Sequence, residues 1–265
     1  MNKIKKNILK LMEDKVDAIG FASIDRFSDA PEEHHPSRIC KDAKTVIVFG
    51  KAIPRGIIHA PEYNLYALQR SYHTAFEYLN QLGLMLSTWI EDQGNYLSVQ
   101  IPCTFPWIIQ NKENSFDRFM NKEGVNVGWG LISLKHAAVN AGIGAFGKNE
   151  LVHNPKYGTL LRFGAVVTSI ELPADPIITD APCKNNCSAC IESCPVAALS
   201  EERTILKREC GRHSGSHVIY RNSYLHTIQS ELGQKLFDYE LMMNTGAYNY
   251  WLNCFECTRV CPNNY

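Results

Sequence analysis

The chain has 265 residues, 45% of them hydrophobic, and its 27 basic residues balance 27 acidic ones to a formal net charge of zero. That length suits one α/β domain with a small appendage or two modest domains, and it buries enough core to fold without disulfide staples. The charge balance gives no sign of a basic nucleic-acid scaffold, and with no apolar run of about 18 residues no membrane span is expected.

Residues 2–15 place Ile4, Ile8, Leu11 and Met12 on one helical face. Charges interrupt this stretch, so it reads as an amphipathic helix and not as a secretion signal. The pattern predicts strands over 17–24 and 45–49, with a loop over 26–42 between them. The second strand is the clearer one: Thr-Val-Ile-Val-Phe is β-branched and apolar, bounded by Lys44 and Gly50. A long helix over 63–92 follows from Leu65, Leu68, Tyr72, Phe76, Leu79, Leu82, Leu86 and Ile90 at steps of three and four, with Gly94 as its cap. A strand over 96–101 leads into an unpatterned stretch, 102–130, read as a lid or binding loop. Trp107 and Trp129 in that stretch are candidates to line a flat cofactor face. A helix over 131–140 stops at Ala141-Gly142-Ile143-Gly144, a strand covers 161–169, and a helix over 223–243 returns the chain to its C-terminal motif. The expected domains are an α/β cofactor- and substrate-binding body, 1–173, and a cysteine-rich module, 174–265.

Eight of the ten cysteines carry the chemistry. Cys187, Cys190 and Cys194-Pro195 repeat the spacing of Cys254, Cys257 and Cys261-Pro262, which is C-x2-C-x3-C-P in both places. In two-cluster ferredoxins a close pair of thiolates reaches one [4Fe–4S] cube, and the cysteine before proline reaches the other. One cluster would take Cys183, Cys187, Cys190 and Cys261; the other would take Cys194, Cys210, Cys254 and Cys257. Cys183 is the weakest member, because x3 separates it from Cys187 where x2 is usual. Zinc also favours paired C-x2-C units but does not explain C-x3-C-P twice. Cys40 and Cys103 are left over and read as buried thiols.

His136-Ala-Ala-Val-Asn-Ala-Gly-Ile-Gly-Ala-Phe-Gly-Lys-Asn-Glu-Leu-Val-His-Asn-Pro-Lys-Tyr-Gly158, Arg162-Phe-Gly-Ala-Val-Val-Thr168, Ser71-Tyr72-His73 and the two cysteine motifs together resemble the epoxyqueuosine reductase and reductive dehalogenase superfamily. The resemblance covers most of residues 40–265. It implies a nitroreductase-like, cobalamin-binding-type α/β core beside a C-terminal two-cluster ferredoxin-like module, in a compact member of the superfamily. It also implies cobalamin as the cofactor to which the clusters pass electrons. Gly142, Gly144 and Gly147 would then allow close approach to the corrinoid, and Lys148, Asn149, Tyr157, Gly158 and Arg162 would meet its edge. The bland alternative for the glycines is a helix cap and turn with no ligand. Tyr72, His73, Lys135 and His136 are the catalytic candidates as proton donors, with His153 behind them.

One departure from the family bears on substrate. Epoxyqueuosine reductases carry a catalytic Asp before the helix that leads to the glycines, whereas here the stretch is Gly128-Trp-Gly-Leu-Ile-Ser-Leu-Lys135. The sequence-based expectation is therefore a cytoplasmic iron–sulfur oxidoreductase that passes single electrons from a ferredoxin or flavodoxin-like donor, through two clusters, to a corrinoid and a reducible substrate. Its alternatives are a corrinoid-free electron-transfer protein docking on a partner enzyme, and a reductive activator or carrier of a corrinoid or corrinoid protein. True tRNA epoxyqueuosine reduction is disfavoured on the missing Asp, and nucleic acid is not expected as a partner.

Overall fold

The computed structural model describes residues 2–60, 65–103, 130–184, 186–202, 205–206, 209–210, 213, 217–218, 251–252 and 254–264. The chain divides into two compact units. Unit 1 comprises Met1–Ile53, Ala75–Gly147 and Leu151–Lys184; unit 2 comprises Pro54–Thr74, Lys148–Glu150 and Asn185–Tyr265. The expected boundary at 173/174 falls near the end of unit 1, and unit 2 also takes in two stretches from earlier in the chain.

Unit 1 is built on a four-stranded antiparallel sheet in the spatial order 18–23, 45–52, 161–168 and 98–101. The strands are β1 (Ala18–Ser23), β2 (Thr45–Ala52), β3 (Ser98–Ile101) and β6 (Leu161–Thr168). β2 lies between β1 and β6, pairing Ala18 with Gly50 on one side and Thr45 with Thr168 on the other. Alternate residues of β2 enter different cores. Val46 and Val48 pack with Ala165 and Val167 of β6 and with Ala137, Ala138 and Ala141. Ile47 and Phe49 pack with Ile8, Met12, Leu79, Leu82, Leu86 and Ile90. Both faces of β2 are thus covered, which is why its sequence is a continuous apolar run and not an alternation.

The helices that cover the sheet end where local chemistry ends them. In α1 (Lys3–Met12) the Asn2 side chain caps the first turn by accepting from the Ile4 amide at 2.8 Å. In α2 (Leu65–Glu91) the apolar residues at steps of three and four supply the second core. α3 (Leu134–Asn140) starts later than the expected position 131 because Ser133 is its N-cap, accepting from the His136 amide. Its far end is a Schellman turn. Ile143 N–H donates to the Ala138 carbonyl and Gly142 N–H to the Val139 carbonyl, each at 2.9 Å. The loop expected over 26–42 contains three short 3-10 turns, of which Pro36–Arg38 is the last. Cys40 lies in the first core and Cys103 in the second. Burial pushes the Cys40 thiol up and takes that of Cys103 up to about 12. The helix expected over 223–243, Trp107 and Trp129 lie outside the described residues. No helix among the described residues is long and apolar enough to cross a membrane.

One ion pair ties the two ends of unit 1 together. Lys5, 6% exposed, donates to Asp175 Oδ1 at 2.5 Å and to the Pro173 carbonyl at 2.7 Å, and lies over the Phe21 ring. Asp175 Oδ2 accepts from the Phe21 amide at 3.0 Å. Asp175→Ala leaves a buried ammonium without its carboxylate, and is expected to destabilise by about 3 kcal/mol. Lys5→Met with Asp175→Ala should cost less than Asp175→Ala alone. Urea unfolding of the single and double variants measures the difference.

Candidate functional site

In unit 2 the two cysteine motifs fold as copies of one another. α4 (Ala189–Glu192) and α5 (Glu256–Arg259) occupy the same positions relative to Cys187 and Cys254, and the two helical turns pack together. The backbone bonds repeat as well. Ile191 N–H donates to Ser188 O at 2.8 Å, as Thr258 does to Phe255 O at 2.9 Å. Cys194 donates to Ile191 O at 3.2 Å, as Cys261 does to Thr258 O at 3.3 Å. Ala197 donates to Cys194 O at 3.1 Å, as Asn264 does to Cys261 O at 3.0 Å. The C-x2-C-x3-C-P spacing therefore specifies a local shape: a short helical turn carries the middle cysteine, and a second turn, opened by proline, follows the last one.

None of the ten cysteines is joined in a disulfide. Of the eight expected as ligands, Cys187, Cys190, Cys194, Cys210, Cys254, Cys257 and Cys261 lie in unit 2, while Cys183 lies at the end of unit 1. Cys190 and Cys261 are buried. Cys257 is pushed up to about 12 by burial first, then by the charges of Cys210, Cys254, Cys190 and Cys194. Burial also raises Cys254, and the charges of Glu256 and Cys194 add to the effect. So the thiols that act electrostatically on Cys257 are Cys194, Cys210 and Cys254, the partners expected for it in one cluster, and Cys190, expected in the other. Such crowding penalises bare thiolates, and a bound iron–sulfur cluster reverses that penalty by coordinating them. On this observation the residues fit a cysteine-ligated cluster. Among the described residues no three His, Cys, Asp or Glu side chains are grouped to hold a single metal ion. The Ala198 amide donates to Cys194 Sγ at 3.2 Å, and bonds of this kind tune cluster potentials.

The catalytic candidates fall into different units. Tyr72 and His73 are in unit 2; Lys135 and His136 are in unit 1. Tyr72 is 1% exposed, and its ring lies against Phe255, between the second-motif cysteines, at 4.5 Å between centroids. His73 Nε2 meets Gln69 Nε2 at 2.7 Å, and burial lowers its pKa, with the Arg70 charge adding to the shift. Lys135 is exposed, while His136 meets Ser133 Oγ at 2.7 Å and makes a tilted ring contact with Phe146, 4.8 Å between centroids.

The residues expected to meet a corrinoid have partners within the chain. A Cβ on Gly142 would lie 2.1 Å from the Pro176 carbonyl oxygen. One on Gly144 would lie 2.4 Å from the His153 carbonyl oxygen, and one on Gly147 2.2 Å from His153 Nε2. The close approach these glycines permit here is to the protein itself. Gly144 and Gly147 flank β4 (Ala145–Phe146), which pairs with β5 (Val152–His153) in a hairpin that packs His153 beneath Gly147. Lys148 Nζ donates to the Cys187 carbonyl at 2.9 Å, and Asn149 Nδ2 to the Cys257 carbonyl at 3.3 Å. Gly158 exchanges backbone bonds with Asn154, whose Oδ1 accepts from the Tyr157 amide at 3.1 Å. Arg162 Nη2 donates to the Thr159 carbonyl at 2.8 Å. Asn154 and Phe255 were not legible as site residues. The Asn-Pro turn signal before Lys156-Tyr157-Gly158 marks Asn154 in hindsight; nothing in the sequence marks Phe255.

No family model matches the chain. It is 30% identical over 130 residues to epoxyqueuosine reductase from Pseudomonas aeruginosa, covering 49% of this chain and 31% of that protein. It is 24% identical to epoxyqueuosine reductase from Lactococcus garvieae over 100% of this chain and 70% of that one. The chain thus matches about a third of the length of the first relative. Among solved structures, an epoxyqueuosine reductase with an epoxyqueuosine-modified tRNA-Tyr stem loop matches 99% of this chain and 65% of that chain, at TM-score 0.60 and 17% identity. A reductive dehalogenase described with a mechanism for B12-dependent dehalogenation matches 92% of this chain and 34% of that chain, at TM-score 0.53 and 12% identity. The fold is the α/β fold these enzymes share.

These likenesses correct two expectations. Epoxyqueuosine reduction was disfavoured and nucleic acid discounted as a partner, yet the curated relatives carry that reaction in their name and one structural neighbour holds a tRNA stem loop. The physical error lies in what each argument measured. Net charge averages over a whole surface, whereas a modified base in a loop is recognised by local contacts and stacking. A missing carboxylate in one stretch removes one proton donor and leaves the rest of a site intact.

Proposed function

We propose, from the premise that this chain matches the superfamily of epoxyqueuosine reductases and reductive dehalogenases, that it is an iron–sulfur oxidoreductase that removes the epoxide oxygen of epoxyqueuosine in tRNA. The observation that carries this reading is the shared name of the relatives, at 30% identity over half the chain and 24% over all of it. Converting an epoxide to an alkene consumes two electrons and two protons and releases one water, so the site must deliver both. Two [4Fe–4S] clusters, when bound, would supply the electrons one at a time.

The protein residues then divide the work. Cys183, Cys187, Cys190 and Cys261 hold one cluster; Cys194, Cys210, Cys254 and Cys257 hold the other. Tyr72, packed on Phe255, fixes the loop between Cys254 and Cys257. Tyr72, His73, Lys135 and His136 remain the proton-donor candidates. The substrate body is drawn from residues 1–173 and the cluster module from 174–265, with residues 54–74 and 148–150 joining the unit of the cysteine motifs, and a ferredoxin or flavodoxin-like donor in the cytoplasm feeds the clusters. A corrinoid is the finer cofactor reading and rests on the dehalogenase neighbour. The residues expected to contact it are engaged within the chain.

The test is anaerobic turnover of epoxyqueuosine-containing tRNA with a strong reductant, followed by nucleoside mass analysis. Loss of one oxygen from the modified base supports the reading; intact epoxyqueuosine with clusters fully loaded overturns it. Cys257→Ser is expected to lower bound iron from about eight to about four per chain, measured by metal analysis after anaerobic reconstitution.

A further inference from the structure

We infer that Lys148, Asn149 and Glu150 form a strap that sets the two cluster loops separately, Lys148 governing the cluster of Cys187 and Asn149 that of Cys257. This rests on the cluster reading proposed above. The strap is a three-residue insertion into unit 2 from a stretch otherwise belonging to unit 1. Its first two side chains reach different motifs: Lys148 Nζ to the Cys187 carbonyl at 2.9 Å, Asn149 Nδ2 to the Cys257 carbonyl at 3.3 Å. Both side chains are largely shielded, Lys148 at 12% exposure and Asn149 at 3%. Each bond pins the plane of the peptide that follows a ligand cysteine, and with it the direction of the next amide. Glu150 sits at φ +56°, in the left-handed region that a glutamate adopts only when its surroundings hold it there.

Lys148 brings a charge as well as a hydrogen bond. A reduced cluster carries one more negative charge than an oxidised one, and a shielded ammonium beside a ligand loop favours the reduced form. Glu201 pairs with Lys148 but is 59% exposed, so solvent screens it more than it screens the ammonium. Asn149 is neutral, so its tether acts on geometry alone. Lys148 and Asn149 are therefore positioning residues for electron delivery.

The experiment is an EPR-monitored redox titration of the anaerobically reconstituted full chain, with iron measured on each sample. In Lys148→Gln, iron should stay at the wild-type level and one cluster alone should become harder to reduce. The expected change is about tenfold in its one-electron equilibrium, or about 59 mV. In Asn149→Ala, the other cluster's signal should change in shape or width with the Lys148-side potential unmoved. If Lys148→Gln loses its clusters, Lys148→Arg, which keeps cation and donor, must restore them for the strap to stand. Wild-type iron with both potentials and both spectra unchanged in the two variants overturns the strap. A wild-type chain that binds no cubane overturns the function reading and the strap with it, a result that the iron measurement separates from the previous one.

Discussion

Gly142→Ala is expected to destabilise unit 1 by about 3 kcal/mol, from two independent causes. Gly142 has φ +72°, where an L-residue costs about 1 kcal/mol. A Cβ there would also lie 2.1 Å from the Pro176 carbonyl oxygen and 3.2 Å from its carbon. Both obstacles are backbone, so no rotamer change relieves them, and forced displacement of a packed segment costs about 1–3 kcal/mol. The displaced segment is not idle: neighbouring Asp175 accepts from Lys5 and from the Phe21 amide, and its carbonyl accepts from Arg26 Nη1 at 2.7 Å. The comparison variant is Gly56→Ala. A Cβ there meets nothing within 4 Å, so it should change stability by less than about 0.5 kcal/mol. Urea denaturation of the two variants beside the wild type decides the matter. Equal midpoints would show that the 174–176 segment yields freely.

Periodicity made the sheet and its covering helices readable because burial imposes it. Residues 46–49 are apolar throughout because Val46 and Val48 face one core while Ile47 and Phe49 face the other. The same residues do not reveal that β2 runs antiparallel to both neighbours, since a strand covered on two faces looks alike in either arrangement. The hairpin of β4 and β5 was invisible because two-residue strands are too short to carry an alternation. The glycine-rich stretch announced close approach but not to what. Glycine records that a Cβ would collide, and the colliding atoms here belong to Pro176 and His153. In the same way Lys148 and Asn149 were legible as donors, while their acceptors, the carbonyls of Cys187 and Cys257, belong to residues 39 and 108 positions away. The cysteine spacing went furthest, because the backbone bonds of C-x2-C-x3-C-P close within the motif or just beyond it, and both copies adopt them.

His153 predicts a pH dependence of stability with a definite sign. Its imidazole is 4% exposed beneath Gly147, and burial alone takes its pKa from an ordinary 6.5 down to about 4. Between those values the unfolded chain holds a proton on this ring and the folded chain does not, so stability rises with pH across the window. The contribution is intact above pH 6.5 and is lost progressively as the pH falls towards 4, by about 3 kcal/mol in all. His73, also lowered by burial, acts in the same direction. Carboxylates titrate in part of the same range, so the wild-type curve alone does not isolate the ring. The difference between wild type and His153→Asn does, because asparagine cannot take up the proton. The stability of His153→Asn should fall less steeply than that of the wild type from pH 6.5 to 4, whatever its stability at pH 7. Parallel curves across that window would mean that the folded chain admits a charged imidazole at this site. Gly147 would then stand over a ring free to move aside, and Gly147→Ala would be tolerated. A flattened curve would instead make the ring a fixed floor under the residue that precedes Lys148, and Gly147→Ala should then be destabilising.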